Sequence, residues 1–320
     1  MSTSFSNLSE LVTAVKAATD AILTTEPKEV KRIRTGGLPV GTNNQYFTTW
    51  DFVNGMIRDH STCTWYSLLN TFEDERFSLD QCCALVHRFD YTFSNFLRYS
   101  GFQEMAVLAA ALTKHLPTAK TREEAVKAVR TFLAYLNRLA AWLFHYFPWN
   151  IGKHLTYSYT TASIPTPADP DLSRRVHVAD GRKVRLTWQP LGICVVATLA
   201  TKENPELCED VLRELPFSII QDHAVVSGES MYAWAPVVST APVHVKERQC
   251  DAPVGRIRYS QATGNKIIVQ YGRVTEDIET PILGEILLQY RDRLGEVGSA
   301  VWKSTFETKQ IILLTIETVD

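Results

Sequence analysis

Several signatures are missing from these 320 residues, and each absence closes off a class of function. The six cysteines, at 63, 82, 83, 194, 208 and 250, form no CxxC pair, and the adjacent Cys82 and Cys83 cannot bridge comfortably, so they read as reduced, mostly buried thiols. No stretch stays apolar long enough to cross a bilayer. The start, MSTSFSNLSE, lacks a basic segment followed by an apolar run, which predicts a soluble, cytoplasmic protein. There is no dense Lys/Arg block, and 33 basic against 35 acidic residues leave a net charge of -2, so neither nucleic acid nor a membrane is an expected partner. No strand runs into GxGxxG and a helix, which argues against a nicotinamide cofactor, and GxSxG is missing too. Gly36, Gly37 and Gly41 lack the Lys-Ser/Thr ending of a phosphate loop. His60, His87, His115, His145 and His154 show neither HxxxH nor HExxH spacing, so no metal site is expected.

What is present divides into two patterns. Leu8, Leu11, Val12, Val15, Ala18 and Ile22 recur at three- and four-residue steps, predicting a helix that stops before Pro27. Lys28 to Asn44 reads as a basic connector, and Phe47 to Thr71 is ambiguous in period. Ser78-Leu-Asp-Gln81 has the form of a capping box, opening a helix with Leu85, Phe89, Phe93, Phe96 and Leu97 as its buried stripe. Phe102 to Leu116 is a further helix. A second box, Thr121-Arg-Glu-Glu124, opens the clearest one, ending near Pro148. Four or five helices with short connections predict a bundle over 1–160. Its apolar face and the aromatics of 142–149 suggest a homo-oligomer.

Three prolines between Ser163 and Asp171 mark a linker, 161–174, after which the period changes to two. Strands are expected at Lys183–Trp188, Ile193–Leu199, Gly255–Tyr259, Lys266–Tyr271 and Gln310–Thr318, with helices after Asn204-Pro205 and from Pro281 to Gly298. The fold class is thus α+β: a helical bundle followed by a small closed barrel with two helices over 175–320. Leu215 to Trp234 is its chemical centre. A strand carries His223 into the turn Ser227-Gly228-Glu229, and the next strand brings out Tyr232 and Trp234. Titratable, hydroxyl and aromatic groups together suit a small-molecule site, although the same stretch also reads as an ordinary hairpin with a core histidine and an exposed glutamate.

Leu215-Pro216-Phe217, His223, Ser227-Gly228-Glu229, Gly255 to Tyr259, Tyr271-Gly272 and Trp302 together resemble a cyclophilin-like domain family over roughly Arg175 to Asp320. Behind a helical domain, in a chain of this size, the whole is similar to the cucumopine and mikimopine synthases, opine-forming enzymes of Agrobacterium T-DNA and of plants that acquired it. That resemblance implies condensation of L-histidine with 2-oxoglutarate and ring closure by a Pictet–Spengler reaction, with no cofactor. Such chemistry is acid–base work, for which a carboxylate in a half-apolar pocket is suited because desolvation raises its pKa. Glu229 is the candidate base and His223 its partner, or the acid that assists loss of water. Ser227 is a candidate substrate contact. The two substrates bring three carboxylates, for which Arg256, Arg258, Lys266 and Arg273 are candidates, each equally readable as part of a solvated basic face. Tyr232, Trp234, Tyr271 and Trp302 could wall an imidazole or be plain core aromatics. From another functional class, a non-catalytic ligand-binding or scaffold module, or a peptidyl-prolyl isomerase relative, fits the same fold.

Overall fold

The computed structural model describes residues 5–36, 50–149 and 169–319. His154, residues 37–44 of the predicted connector, the start of the Phe47–Thr71 stretch and 161–168 of the predicted linker lie outside them. The chain divides into two compact units: Met1–Phe147 with Trp234–Val238 and Ala262–Gly264, and Pro148–Ala233 with Ser239–Gln261 and Asn265–Asp320.

The first unit is a bundle of α1 (Leu8–Ala21), α2 (Lys28–Arg34), α3 (Trp50–Asp59), α4 (Tyr66–Glu73), α5 (Leu79–Tyr99), α6 (Gln103–His115) and α7 (Arg122–Tyr146). A π-turn, His60–Trp65, joins α3 to α4. Both bonds of the Ser78 capping box form. The Thr121 hydroxyl accepts from Glu124 N, whereas the Glu124 carboxylate reaches back to Lys120 N instead of Thr121 N. From Phe132 to Phe144, α7 is buried almost all round, which makes it the axis of the bundle.

Two expectations need correction here. Lys28–Arg34 is a helix, not a connector: Val30 and Ile33 are buried, and the buried Glu29 carboxylate accepts from Glu104 N at the start of α6. The buried face of α5 is Cys82, Val86, Asp90, Ser94 and Leu97, and Phe89 is 54% exposed. Asp90 turns the helix: Ser94 Oγ donates to its Oδ1 at 2.6 Å, and His60 Nε2 lies 3.2 Å from the same oxygen. A polar residue with buried partners outweighs an aromatic stripe that can face water.

The second unit is built on an antiparallel sheet that has ten strands among the described residues: β1 (Lys183–Gln189), β2 (Ile193–Leu199), β3 (Phe217–Ile220), β4 (Asp222–His223), β5 (Gly228–Trp234, its last residue counted with the first unit), β6 (Lys246–Arg248), β7 (Arg256–Ser260), β8 (Lys266–Val274), β9 (Glu279–Ile286) and β10 (Leu313–Thr318). Their order is β3-β10-β1-β2-β9-β7-β8-β5-β4, with β6 beside β9. The two ends of that path, β3 and β4, are separated in sequence only by Gln221, so the chain itself joins the sheet's edges into a nearly closed barrel. Two helices accompany it, α8 (Pro205–Glu214) and α9 (Leu294–Lys303), the latter continued by a π-turn, Ser304–Thr308.

The expected helix from Pro281 to Gly298 is corrected. Its first part is strand β9, paired with β2, β6 and β7; a 3-10 turn follows over Leu288–Arg293, and the α-helix begins only at Leu294. The run Pro-Ile-Leu-Gly-Glu-Ile is buried on both faces, and such a run matches a helical stripe as well as a core strand. Asn204 precedes α8 as expected, yet its side chain does not cap it. It holds a loop to the sheet, accepting from His244 N and Val245 N and donating to the Val245 and Ile282 carbonyls.

Candidate active site

The two-residue strand β4 pairs Asp222 with Tyr232 and His223 with Met231, so alternation sends Asp222 and His223 to opposite faces. His223 is 4% exposed. Its backbone N–H donates to Thr305 Oγ1, which fastens the strand to the π-turn after α9. The ring then meets two partners. Nδ1 lies 2.7 Å from the Ala224 carbonyl oxygen, and Nε2 lies 2.7 Å from Tyr271 Oη. A carbonyl can only accept, so Nδ1 carries the hydrogen, and in the neutral ring Nε2 must accept the Tyr271 O–H. Burial pushes the His223 pKa down, opposed by the Ala224 carbonyl and the charges of Glu229 and Asp222, which favours that neutral form.

Tyr271, on β8, is half-buried, and burial followed by the Glu229 charge holds its phenol above the ordinary value. Space for its ring depends on Gly298 of α9: a methyl group there would come within 2.5 Å of the Tyr271 ring. The next residue, Gly272, does the same for Glu229, whose carboxylate lies where a side chain at 272 would project. Glu229 Oε2 accepts from Arg273 N at 2.7 Å. Phe306 closes the cluster, its ring 5.8 Å from His223, 5.4 Å from Trp302 and 5.7 Å from Trp149. Trp302 is 43% exposed and forms the outer wall.

The sequence candidates therefore separate. His223, Tyr271 and Trp302 share one cluster, with Glu229 near enough for its charge to act on both titrating rings. Glu229 is exposed, not set in the half-apolar pocket that the sequence suggests. Ser227 is half-buried in the loop before β5, its carbonyl accepting from Thr275 N. Tyr232 lies under the Lys266 ammonium, 4.7 Å from ring centre to Nζ. Trp234 belongs with the first unit, where its ring lies 5.0 Å from Phe144 and its carbonyl accepts from Arg138.

Arg256 and Arg258 are wholly buried, so neither is part of a solvated face. Arg256 is bound by Glu247 and Glu285, and Arg258 donates to the Gln249 carbonyl, Gln270 Oε1 and Ser230 Oγ. Burial pushes the Arg258 guanidinium down to about 10, which leaves it protonated at neutral pH. Arg273 is exposed, 4.0 Å from Asp169. It helps line a cavity of about 460 Å³ with Arg175, Gln270, Gly272 and Val274. Among the described residues no group of three or more His, Cys, Asp or Glu is placed to hold a metal, and no helix is long and apolar enough to cross a membrane.

Sequence reasoning missed Phe306, Thr305 and Arg175. Phe306 had a signal, since Trp302 and Phe306 stand four residues apart and so share one helical side. Thr305 and Arg175 had none, because their roles come from β4 and from the loop around Asp251.

Residues 8–146 match the family model described as the cucumopine synthase C-terminal helical bundle domain. The match covers the helical unit, under half of the chain, and there the chain resembles cucumopine synthases. It does not extend to the sheet, whose cyclophilin-like character is an expectation of the sequence alone. Among solved structures, one described as McbB in complex with tryptophan is 32% identical, covering 42% of this chain and 44% of that one, with a TM-score of 0.39. The similarity thus spans less than half of either protein. No curated protein matches.

Proposed function

We propose that the protein condenses L-histidine with 2-oxoglutarate and closes the resulting imine to a cucumopine-type opine by a Pictet–Spengler reaction. The observation that carries this reading is the His223–Tyr271 pair, a neutral imidazole accepting a phenol O–H beneath an aromatic wall. The helical unit's match to a cucumopine synthase domain supports it.

The chemistry asks for an unprotonated amine, its addition to the keto carbon with loss of water, attack by the imidazole ring carbon on the imine, and removal of a ring proton. Tyr271 is the proton carrier. Its hydrogen points to His223 Nε2, so its oxygen lone pairs are left to receive a substrate proton while its own passes to the ring. Glu229 stabilises the imidazolium that forms, as its charge raises the His223 pKa and disfavours a tyrosinate. Phe306 and Trp302 offer ring faces to a flat heteroaromatic substrate. Glu229 serves as an electrostatic partner in this scheme, and the base is the tyrosine–histidine pair.

Mixing purified protein with L-histidine and 2-oxoglutarate, without nucleotide, tests the reading. Loss of both substrates with appearance of one ring-closed product is expected. Unchanged substrates would refute it.

A further inference from the structure

The cavity beside Glu229 has an unusual charge pattern. Its mouth holds Arg175 and Arg273 with Asp169 beside them, Gln270 also lines it, and the rest of the wall is small or apolar, with Pro170, Ala252, Val254 and Val274 among them. Arg175 uses its Nε to donate to the Asp251 carbonyl, and among the described residues the terminal nitrogens of neither arginine have a hydrogen-bond partner. Asp169, on the same wall, is fully exposed and 4.0 Å from Arg273, a contact weak enough for a ligand to replace.

The floor is Gln270, 3% exposed, with its amide fully engaged: Oε1 accepts from Arg258, and Nε2 donates to the Ala252 and Gly272 carbonyls. Directly behind it lies Arg258. Among the described residues its hydrogen-bond partners are all neutral, and its buried Nε has none. Arg256 next to it is held directly by two carboxylates, whereas the charges of Glu247 and Glu276 act on Arg258 without a hydrogen bond to it among the described residues. A buried cation with no carboxylate bound directly to it projects a positive field into adjacent empty space.

We infer that this cavity binds a short dicarboxylate, with Arg175 and Arg273 each taking one carboxylate at the mouth and Arg258 supplying the field at the floor. The volume lies within the range of small-molecule pockets, and the apolar walls suit a methylene chain between two charged ends. Under the condensation reading, on which this assignment rests, the occupant is the keto acid. Glu229 adjoins it because its carboxylate is held by the backbone of Arg273 and lies over Gly272, both on the cavity wall.

Calorimetric titration of the intact protein with 2-oxoglutarate, glutarate and inorganic phosphate tests the assignment, using the wild type, Arg273→Met and Arg175→Met. Both dicarboxylates should bind, and each substitution should weaken them about tenfold or more, as expected for loss of charged hydrogen bonds. Arg273 is exposed, so its variant keeps the test valid should Arg175→Met fail to fold. Dicarboxylate affinity unchanged by both substitutions, no dicarboxylate binding, or phosphate binding as tightly as glutarate would overturn the assignment. Glutarate binding that Arg273→Met weakens, in a protein forming no product, would keep the pocket and refute the condensation. Product formation with an unaltered KM for 2-oxoglutarate in Arg273→Met would do the reverse.

Discussion

Each unit buries a histidine against an aromatic partner, and the difference between the two shows what makes such a pair chemical. In the bundle, His60 Nε2 lies 3.0 Å from Trp65 Nε1 and 3.2 Å from Asp90 Oδ1, and the histidine and tryptophan side chains are completely buried. In the sheet, His223 Nε2 accepts from Tyr271 Oη, and the tyrosine is only half-buried. An indole N–H can only donate, so a proton arriving from outside cannot pass through Trp65. A phenol donates and accepts at one oxygen, so Tyr271 can receive a proton on one side while releasing another toward His223. Burial alone therefore does not distinguish a structural histidine from a reactive one. The partner's chemistry and its access to solvent do.

Removing the partner in each unit should break the symmetry in opposite ways. Tyr271→Phe keeps the ring on Gly298 but deletes the relay oxygen, and turnover should fall about 10²- to 10⁴-fold with little change in melting temperature. Near-normal turnover would remove Tyr271 from the chemistry. Within the bundle, Glu29 has its pKa raised to about 8 by desolvation, and its Oε2 has no hydrogen-bond partner among the described residues. A carboxyl with a raised folded-state pKa favours folding below its ordinary value of 4.5. That contribution is lost as pH rises toward 8, so denaturant midpoints should fall across this window in the wild type. Glu29→Gln should flatten the dependence and be the more stable protein at alkaline pH by on the order of a few kcal/mol.

Trp65→Phe is the bundle's counterpart of Tyr271→Phe. Loss of buried volume and of one hydrogen bond should destabilise it by about 2–3 kcal/mol in chemical denaturation, with turnover unchanged once folded. A large loss of turnover with stability intact would erase the distinction between the two histidines. The smallest effect is expected at the rim, where Trp302→Ala should raise the KM for histidine about three- to tenfold and leave kcat nearly unchanged, a split that steady-state kinetics resolves.

Local signals were readable and long-range ones were not. Ser78 and Thr121 announce their helices because a cap is decided within four residues. His223 stands out because it falls between an apolar strand and a glycine turn. What the sequence could not reveal is which face each residue would meet. Arg256 and Arg258 read as solvated or substrate-facing, yet burial beside Glu247, Glu285 and Gln270 depends on strands distant in sequence. Glu229 read as desolvated, and its exposure follows from its seat over Gly272 at the barrel's rim. Strand β9 reads as helix in sequence because a run buried on both faces carries no period that separates the two.

The account is tested most directly by the pH dependence of ring closure in the wild type and in His223→Gln. Because His223 must be neutral to accept a proton and its pKa lies below the ordinary 6.5, wild-type turnover should hold through neutral pH and fall only on the acid side of that value. The variant should be slow throughout and lack that limb. An identical acid limb in both proteins, at comparable rates, would contradict the assignment of proton transfer to this pair.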